Sequence, residues 1–199
     1  MTARILLVRH GQSTWNADGR WQGTEDPPLS TLGVRQAHLA AESLGTFDLI
    51  GASHLERASV TATIVANELG IGPVVTDPDL GERFAGAFQG MTRPQIEERF
   101  PGYLADGRRP DDYESNESVA ERAVGALARI ASDVGDGGTA FVVSHGGVIH
   151  TLEELVGATR EGRLPNLGGR WFEVGPGVLR SGEPVLLVDA DNVTVPGQI

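Results

Sequence analysis

The chain has 199 residues, 40% of them hydrophobic and 22% charged, which suits one α/β domain over residues 1–199 and is short for two. A net charge of −11 argues against nucleic acid and anionic membrane surfaces as partners, so any phosphate site must be a local basic pocket in an acidic surface. There is no cysteine and all 16 basic residues are arginine, which excludes disulfides, thiolate metal sites, cysteine nucleophiles, P-loop lysines and Schiff-base chemistry.

Arg4–Val8 is a short aliphatic run and predicts a buried strand. It ends abruptly in Arg9-His10-Gly11-Gln12-Ser13-Thr14-Trp15-Asn16. Open α/β sheets bind ligands at the carboxyl edge of their strands, where this octet falls. Arg9 offers a planar fork of donors suited to phosphate, Gly11 would let a ligand approach the main chain, and a neutral His10 imidazole can act as a nucleophile if its tautomer is held.

Further strands are expected at Phe47–Ala52, Pro73–Thr76, Thr139–Ser144 and Pro184–Val188. Helical spacing covers Ser30–Leu44, with Gly45 as its stop, and Glu56–Leu69, stopped at Gly70. Thr92-x-x-Gln95 and Ser118-x-x-Glu121 fit the capping-box pattern, the second opening a helix that runs to about Val134. Gly146–Val156 is a further helix, and Pro101–Ser115 is expected to be a long surface loop. Strands separated by helices of this length imply crossover connections and a mainly parallel sheet, hence a three-layer α/β/α sandwich. Among the other histidines, His38 falls within a helix, His54 is expected to face solvent, and the five-residue spacing of His145 and His150 is poor for shared metal ligation.

The octet resembles the signature of the histidine phosphatase superfamily, which includes the cofactor-dependent phosphoglycerate mutases. Four more segments match its pattern in order: Trp21-Gln22-Gly23 with Pro28–Gly33, Ser53-His54-Leu55-Glu56-Arg57-Ala58, Leu80–Gly86, and Val142-Val143-Ser144-His145-Gly146-Gly147. The resemblance implies the phosphoglycerate mutase-like fold and a catalytic set of His10, Arg9, Arg57, Glu82 and His145. His10 would be the phosphorylated nucleophile and Glu82 the proton donor. Gly11, Asn16, Gln22, Gly23, Arg83 and Gly146 would contact substrate.

It also implies a metal-independent reaction with no cofactor on a small phosphorylated substrate. Trp21-Gln22-Gly23, Glu117-Ser118 and the compact length resemble the phosphatase branch. Arg83, Gly86 and Gln89-Gly90 resemble the mutases' substrate segment, and Arg93 stands where a mutase uses a basic residue. Arg108-Arg109 is similar to their paired arginines one residue out of register, and Ala85 replaces an aromatic. The reading is therefore a phosphomonoester phosphatase. A phosphoglycerate mutase is the alternative, and a phospho-ligand binding module of low activity the second. No apolar run is long enough to cross a bilayer and the N-terminus shows no secretory pattern, so a cytoplasmic location is expected. A homodimer is compatible with the sequence, but no residue pattern specifies one.

Overall fold

The first aliphatic run forms β1 (Ala3–Arg9), in which every residue from Ile5 onward is buried. A strand covered on both faces needs apolar side chains at successive positions, which is why it reads as a run and not as an alternation. The computed structural model describes residues 2–159 and 162–197. Within them, β1 is joined in one sheet by β2 (Leu49–Ser53), β3 (Val75–Asp77), β4 (Thr139–Ser144), β5 (Gly168–Gly175) and β6 (Val178–Leu186). The order is β3-β2-β4-β1-β5-β6, parallel from β3 to β1 and antiparallel from β1 through β5 to β6.

The helices are α1 (Thr14–Ala17), α2 (Thr31–Glu42), α3 (Glu56–Leu69), α4 (Arg93–Arg99), α5 (Asn116–Val134) and α6 (Gly146–Leu155). Alternate residues of the central strands face opposite layers. Ile5 and Leu7 of β1 pack with Val142 of β4 against Leu127 of α5 and Ile149 of α6. Leu6 and Val8 pack with Phe141 and Val143 against Ala40 of α2 and Ala62 and Val65 of α3. The result is the expected three-layer α/β/α sandwich. A third, smaller cluster joins Trp21 to Ala85, Phe88 and Ile96, with Phe100, Tyr103 and Tyr113 against it. It fastens the segment 84–115 to the loop after α1.

Four elements differ from the sequence expectation. The strand expected at Pro184–Val188 is β6, which begins earlier at Val178 and ends at Leu186; β5 was not expected at all. Both lie at the antiparallel side of the sheet, where Gly168-Gly169, Gly182 and Pro184 break the apolar pattern, and Pro184 is tolerated because β6 is an edge strand. Helix α5 is capped by Ser115, whose side chain accepts from the Ser118 N–H, so it starts before the Ser118 box. The short α1 inside the first motif was also not foreseen. Ser13 and Asn16 form its capping box, worth about 1 kcal/mol in general, and that box orients the Asn16 side chain.

Candidate active site

Register alone brings the two histidines together. β1 and β4 are neighbours in parallel, with Arg9 opposite Ser144, so the next residue on each strand leaves the same sheet edge. The rings of His10 and His145 lie 5.2 Å apart between centroids at an interplanar angle of 61°. Both are buried. Arg57, near the start of α3, is fully buried beside them, and its Nε donates to His10 Nε2 at 3.2 Å.

The hydrogen bonds determine how His10 holds its proton. Nδ1 sits 2.6 Å from the Gly11 carbonyl oxygen, which can only accept, so Nδ1 carries the hydrogen. Nε2 is left with its lone pair exposed to the Arg57 donor. Burial, then the cationic Arg57 and Arg9, hold the His10 imidazole well below its ordinary value of 6.5, against the opposing Gly11 contact. His145 is lowered in the same direction by burial, Arg57, His10, Arg9 and Arg122. Its Nε2 is 2.8 Å from Ser53 Oγ, and its buried Nδ1 has no hydrogen-bond partner among the described residues. Arg57 is itself lowered to about 10, chiefly by burial, and stays cationic at neutral pH.

A depressed histidine affects stability as well as reactivity. The unfolded chain binds protons near pH 6.5 while the folded site refuses them. Stability contributed by the neutral rings is therefore complete above that value and is lost as pH falls below it toward the folded pKa. Two results are expected. Ring nitrogen NMR shows His10 neutral with Nδ1 protonated from pH 8 down to 6.5, and the melting temperature falls between pH 7 and 5 less steeply in His10→Gln than in the wild type. Protonation of His10 at pH 7, or equal acid sensitivity of the two proteins, would contradict this arrangement.

The remaining groups surround a cavity of about 40 Å³ whose walls include Arg9, Gln22, Gly23, Glu82, Arg83 and Gly147. Glu82 reaches it between two backbone donors, the Arg83 N–H at 2.8 Å and the Gly147 N–H at 3.2 Å in the first turn of α6. A Cβ at Gly147 would displace the Glu82 carboxylate, so glycine there leaves Glu82 room on its two donors. Arg122 donates to the Asp79 and Gly81 carbonyls and pairs with Glu114, fixing the segment that carries Glu82. Arg9 Nη1 donates to the Leu164 carbonyl at 2.9 Å. Arg57 donates to the Glu25 and Gly23 carbonyls, which ties the loop after Gln22 to α3.

Gly146 opens α6 after the His145 cap, where first-turn amides lack helical partners. Gln22 accepts from Ser13 Oγ, and Asn16 Nδ2 is buried without a hydrogen-bond partner among the described residues.

Gly11 is placed differently from its expected contact with substrate. Its N–H donates to Thr61 Oγ1 at 3.1 Å, and a Cβ there would lie 2.6 Å from the Gly33 carbonyl oxygen. The glycine admits the N-terminus of α2, which explains the residue without a ligand. Arg83 does line the cavity, but its two terminal nitrogens already bond the Glu114 carbonyl and Thr151 Oγ1. Arg93 is exposed and outside the cavity wall. Arg108 pairs with Asp106 over the Tyr103 ring, as a surface residue does.

Arg109 stands over Trp21 and Tyr113, two rings of the cavity wall, and Arg20 joins that wall. Sequence reasoning gives Arg20, Ser53 and Arg122 no role; their neighbours are distant in the chain, and only the motif that includes Ser53 offers a signal. His38 pairs with Glu68, His54 is exposed, and His150 pairs with Glu154, all away from the cavity.

A larger groove of about 560 Å³ lies between α5, α6 and the β5–β6 hairpin and is lined mostly by aliphatic side chains. None of the candidate catalytic residues lines it. Among the described residues no group of three histidine, aspartate or glutamate side chains is arranged to hold a metal ion. Nor is any helix of these residues long and apolar enough to cross a membrane.

Two buried neutral imidazoles, arginines at their edge and a carboxylate at a helix N-terminus define a phosphoryl-transfer site at the carboxyl edge of an α/β sheet. The sequence profile of the histidine phosphatase superfamily (branch 1) matches residues 5–168, and the chain belongs to that family. It is 36% identical to the metal-independent phosphoserine phosphatase of Arabidopsis thaliana, over 81% of this chain and 72% of that protein. It is 33% identical to the glucosyl-3-phosphoglycerate phosphatase of Mycolicibacterium vanbaalenii, over 94% and 90%. A solved mycobacterial glucosyl-3-phosphoglycerate phosphatase, in complex with VO3, superimposes with a TM-score of 0.79 at 30% identity, covering 90% of this chain and 96% of that one. The protein is a phosphoric monoester hydrolase of the histidine phosphatase type.

Proposed function

We propose that the protein hydrolyses small phosphomonoesters bearing a carboxylate near the phosphate, through a phosphohistidine on His10. The observation that carries the mechanism is the unprotonated Nε2 of His10, set by the Nδ1–H bond to the Gly11 carbonyl at the far side of the ring and accepting from Arg57. In the first step Nε2 attacks phosphorus in line, the N–P bond forms and the ester P–O bond breaks. Glu82 gives its proton to the departing oxygen. In the second step a water attacks phosphorus, Glu82 takes the water's proton, and the N–P bond breaks to return neutral His10 and inorganic phosphate. Arg9, Arg57, Asn16, His145 and the Gly146 amide stabilise the equatorial oxygens, the dominant contribution expected in phosphoryl transfer.

The outer wall supports the substrate class. Arg9, Arg20 and Arg83 line the cavity with Glu82 as its one carboxylate, and Arg109 stands over two of its wall rings, so the wall is basic in a chain whose net charge is −11. Arg109 stands over two rings with its Nη1 donating to the Arg108 carbonyl, and a guanidinium carries five N–H donors, so we assign its remaining donors to a carboxylate. The two phosphatases named above are described as acting on phosphoserine and on glucosyl-3-phosphoglycerate, both carboxylated phosphoesters.

The test compares kcat/KM on phosphoserine, 3-phosphoglycerate and glucosyl-3-phosphoglycerate with that on glycerol phosphate and glucose 6-phosphate. Inorganic phosphate and 2-phosphoglycerate are followed together, with and without 2,3-bisphosphoglycerate. The proposal expects phosphate release without isomerisation and a carboxylated substrate preferred by at least about tenfold. It also expects Arg109→Ala to raise KM for that substrate about tenfold while leaving glycerol phosphate unchanged, as loss of one charge-assisted contact would. Isomerisation dependent on the bisphosphate would make it a mutase, and an Arg109→Ala effect equal on all substrates would remove the carboxylate role.

A further inference from the structure

Asn166 precedes β5 and is fully buried, and nothing in the catalytic motifs includes it. Its Nδ2 donates to the His10 carbonyl oxygen at 2.9 Å and to Asn16 Oδ1 at 3.2 Å. Its Oδ1 accepts from Thr194 Oγ1 at 2.8 Å, and its backbone N–H donates to the Thr194 carbonyl. Thr194 Oγ1 in turn accepts from Gln36 Nε2 at 2.9 Å, while Gln36 Oε1 accepts from the Gln12 N–H at 2.8 Å.

Each link in this chain has only one workable direction. The Gln12 N–H can only donate and the Asn192 carbonyl, which takes Gln36 Nε2 at 2.7 Å, can only accept, so the Gln36 amide cannot turn over. Thr194 therefore receives a hydrogen from Gln36 and gives its own to Asn166. The His10 carbonyl demands a donor, which fixes Nδ2 of Asn166 on the motif side. Asn16 Oδ1 is then held by that donor and by the Ser13 N–H at 3.3 Å. What remains is the Asn16 Nδ2, a buried donor with no hydrogen-bond partner among the described residues.

We propose that Asn166, oriented by Thr194 of the C-terminal segment, is a positioning residue that keeps the amide of Asn16 turned with its N–H groups toward the phosphoryl oxygens. The inference rests on the reading of Asn16 as a phosphate ligand. A flipped Asn16 would present an oxygen to an anion, so an amide free to turn would bind both substrate and transition state less well. The C-terminal segment is thereby part of the catalytic apparatus although it touches no substrate.

The experiment is a double-mutant cycle on Asn16→Ala and Asn166→Asp, read by the vanadate inhibition constant and by kcat and KM on p-nitrophenyl phosphate. Aspartate keeps the shape and the acceptor for Thr194 but removes the donor facing His10 and Asn16. Asn166→Asp alone is expected to weaken vanadate and lower kcat/KM by about ten- to a hundredfold, the range for one hydrogen bond to a charged group. In the Asn16→Ala background the same change is expected to cost less than about twofold. Equal effects in both backgrounds, with Asn16→Ala itself costly, would overturn the inference and leave the phosphate-ligand reading standing. An Asn16→Ala protein with unchanged vanadate affinity would overturn that reading instead.

Should Asn166→Asp melt below the assay temperature, Thr194→Val and Thr194→Ser replace it. Valine removes the orienting hydroxyl and serine restores it, so weakened vanadate binding in the first and recovery in the second support the proposal. Identical behaviour of the two overturns it.

Discussion

Replacing His10 with alanine is expected to reduce turnover by at least about 10⁴-fold and to abolish phosphoenzyme, because the covalent intermediate loses its only nitrogen. No nearby group substitutes. His145 is 5.2 Å away between ring centroids and its Nε2 is engaged by Ser53. Glu82 is held by two backbone donors. The variant should still fold, since the ring fills a site wall and bonds only the Gly11 carbonyl and Arg57. Steady-state rates on p-nitrophenyl phosphate, with a melting curve beside them, check this. Activity within tenfold of the wild type in a folded His10→Ala protein would remove the nucleophile from the account.

Glu82→Gln separates the two chemical steps through the leaving group. The amide matches the carboxyl group in shape and its one oxygen can still accept from the Arg83 or the Gly147 N–H, but its NH2 cannot accept from the other and cannot supply a proton. For an alkyl phosphate, whose leaving alkoxide is strongly basic, the expected loss is about 10²–10⁴-fold, the usual range for general acid catalysis. For p-nitrophenyl phosphate the first step hardly needs the proton, so the loss should be smaller and should move to hydrolysis of the phosphoenzyme. A burst of p-nitrophenol would then appear. Equal losses on both substrates would mean that Glu82 does something other than transfer a proton.

The parts of this molecule that the sequence made legible are those where short-range pattern and chemistry coincide. β1 and β4 are buried on both faces and show as aliphatic runs, and each ends in a histidine followed by glycine, so the two strand ends that form the site stood out. α3 runs from Glu56 to Leu69 and stops at Gly70, the bounds its sequence predicts. What escaped has a common cause. Asn166 and His10 are 156 positions apart and meet through a side chain and a backbone carbonyl, a contact with no periodicity to betray it. Arg109 follows Arg108 in a loop rich in glycine, proline and aspartate that looks merely solvated, and only the packing of Trp21 with Phe88 and Tyr113 brings that loop to the cavity. Glycine at the end of β1 predicts the close approach of a ligand to Gly11. The approach is real, but its partner is Gly33.

The central claim is that phosphoryl passes to water in two displacements by way of His10. Its most direct test is the stereochemical course of hydrolysis of a phosphomonoester made chiral at phosphorus with oxygen isotopes and sulfur. Each in-line step inverts the centre, so the account predicts net retention in the inorganic thiophosphate released. Net inversion would show that water attacks the substrate itself, and it would contradict the phosphohistidine.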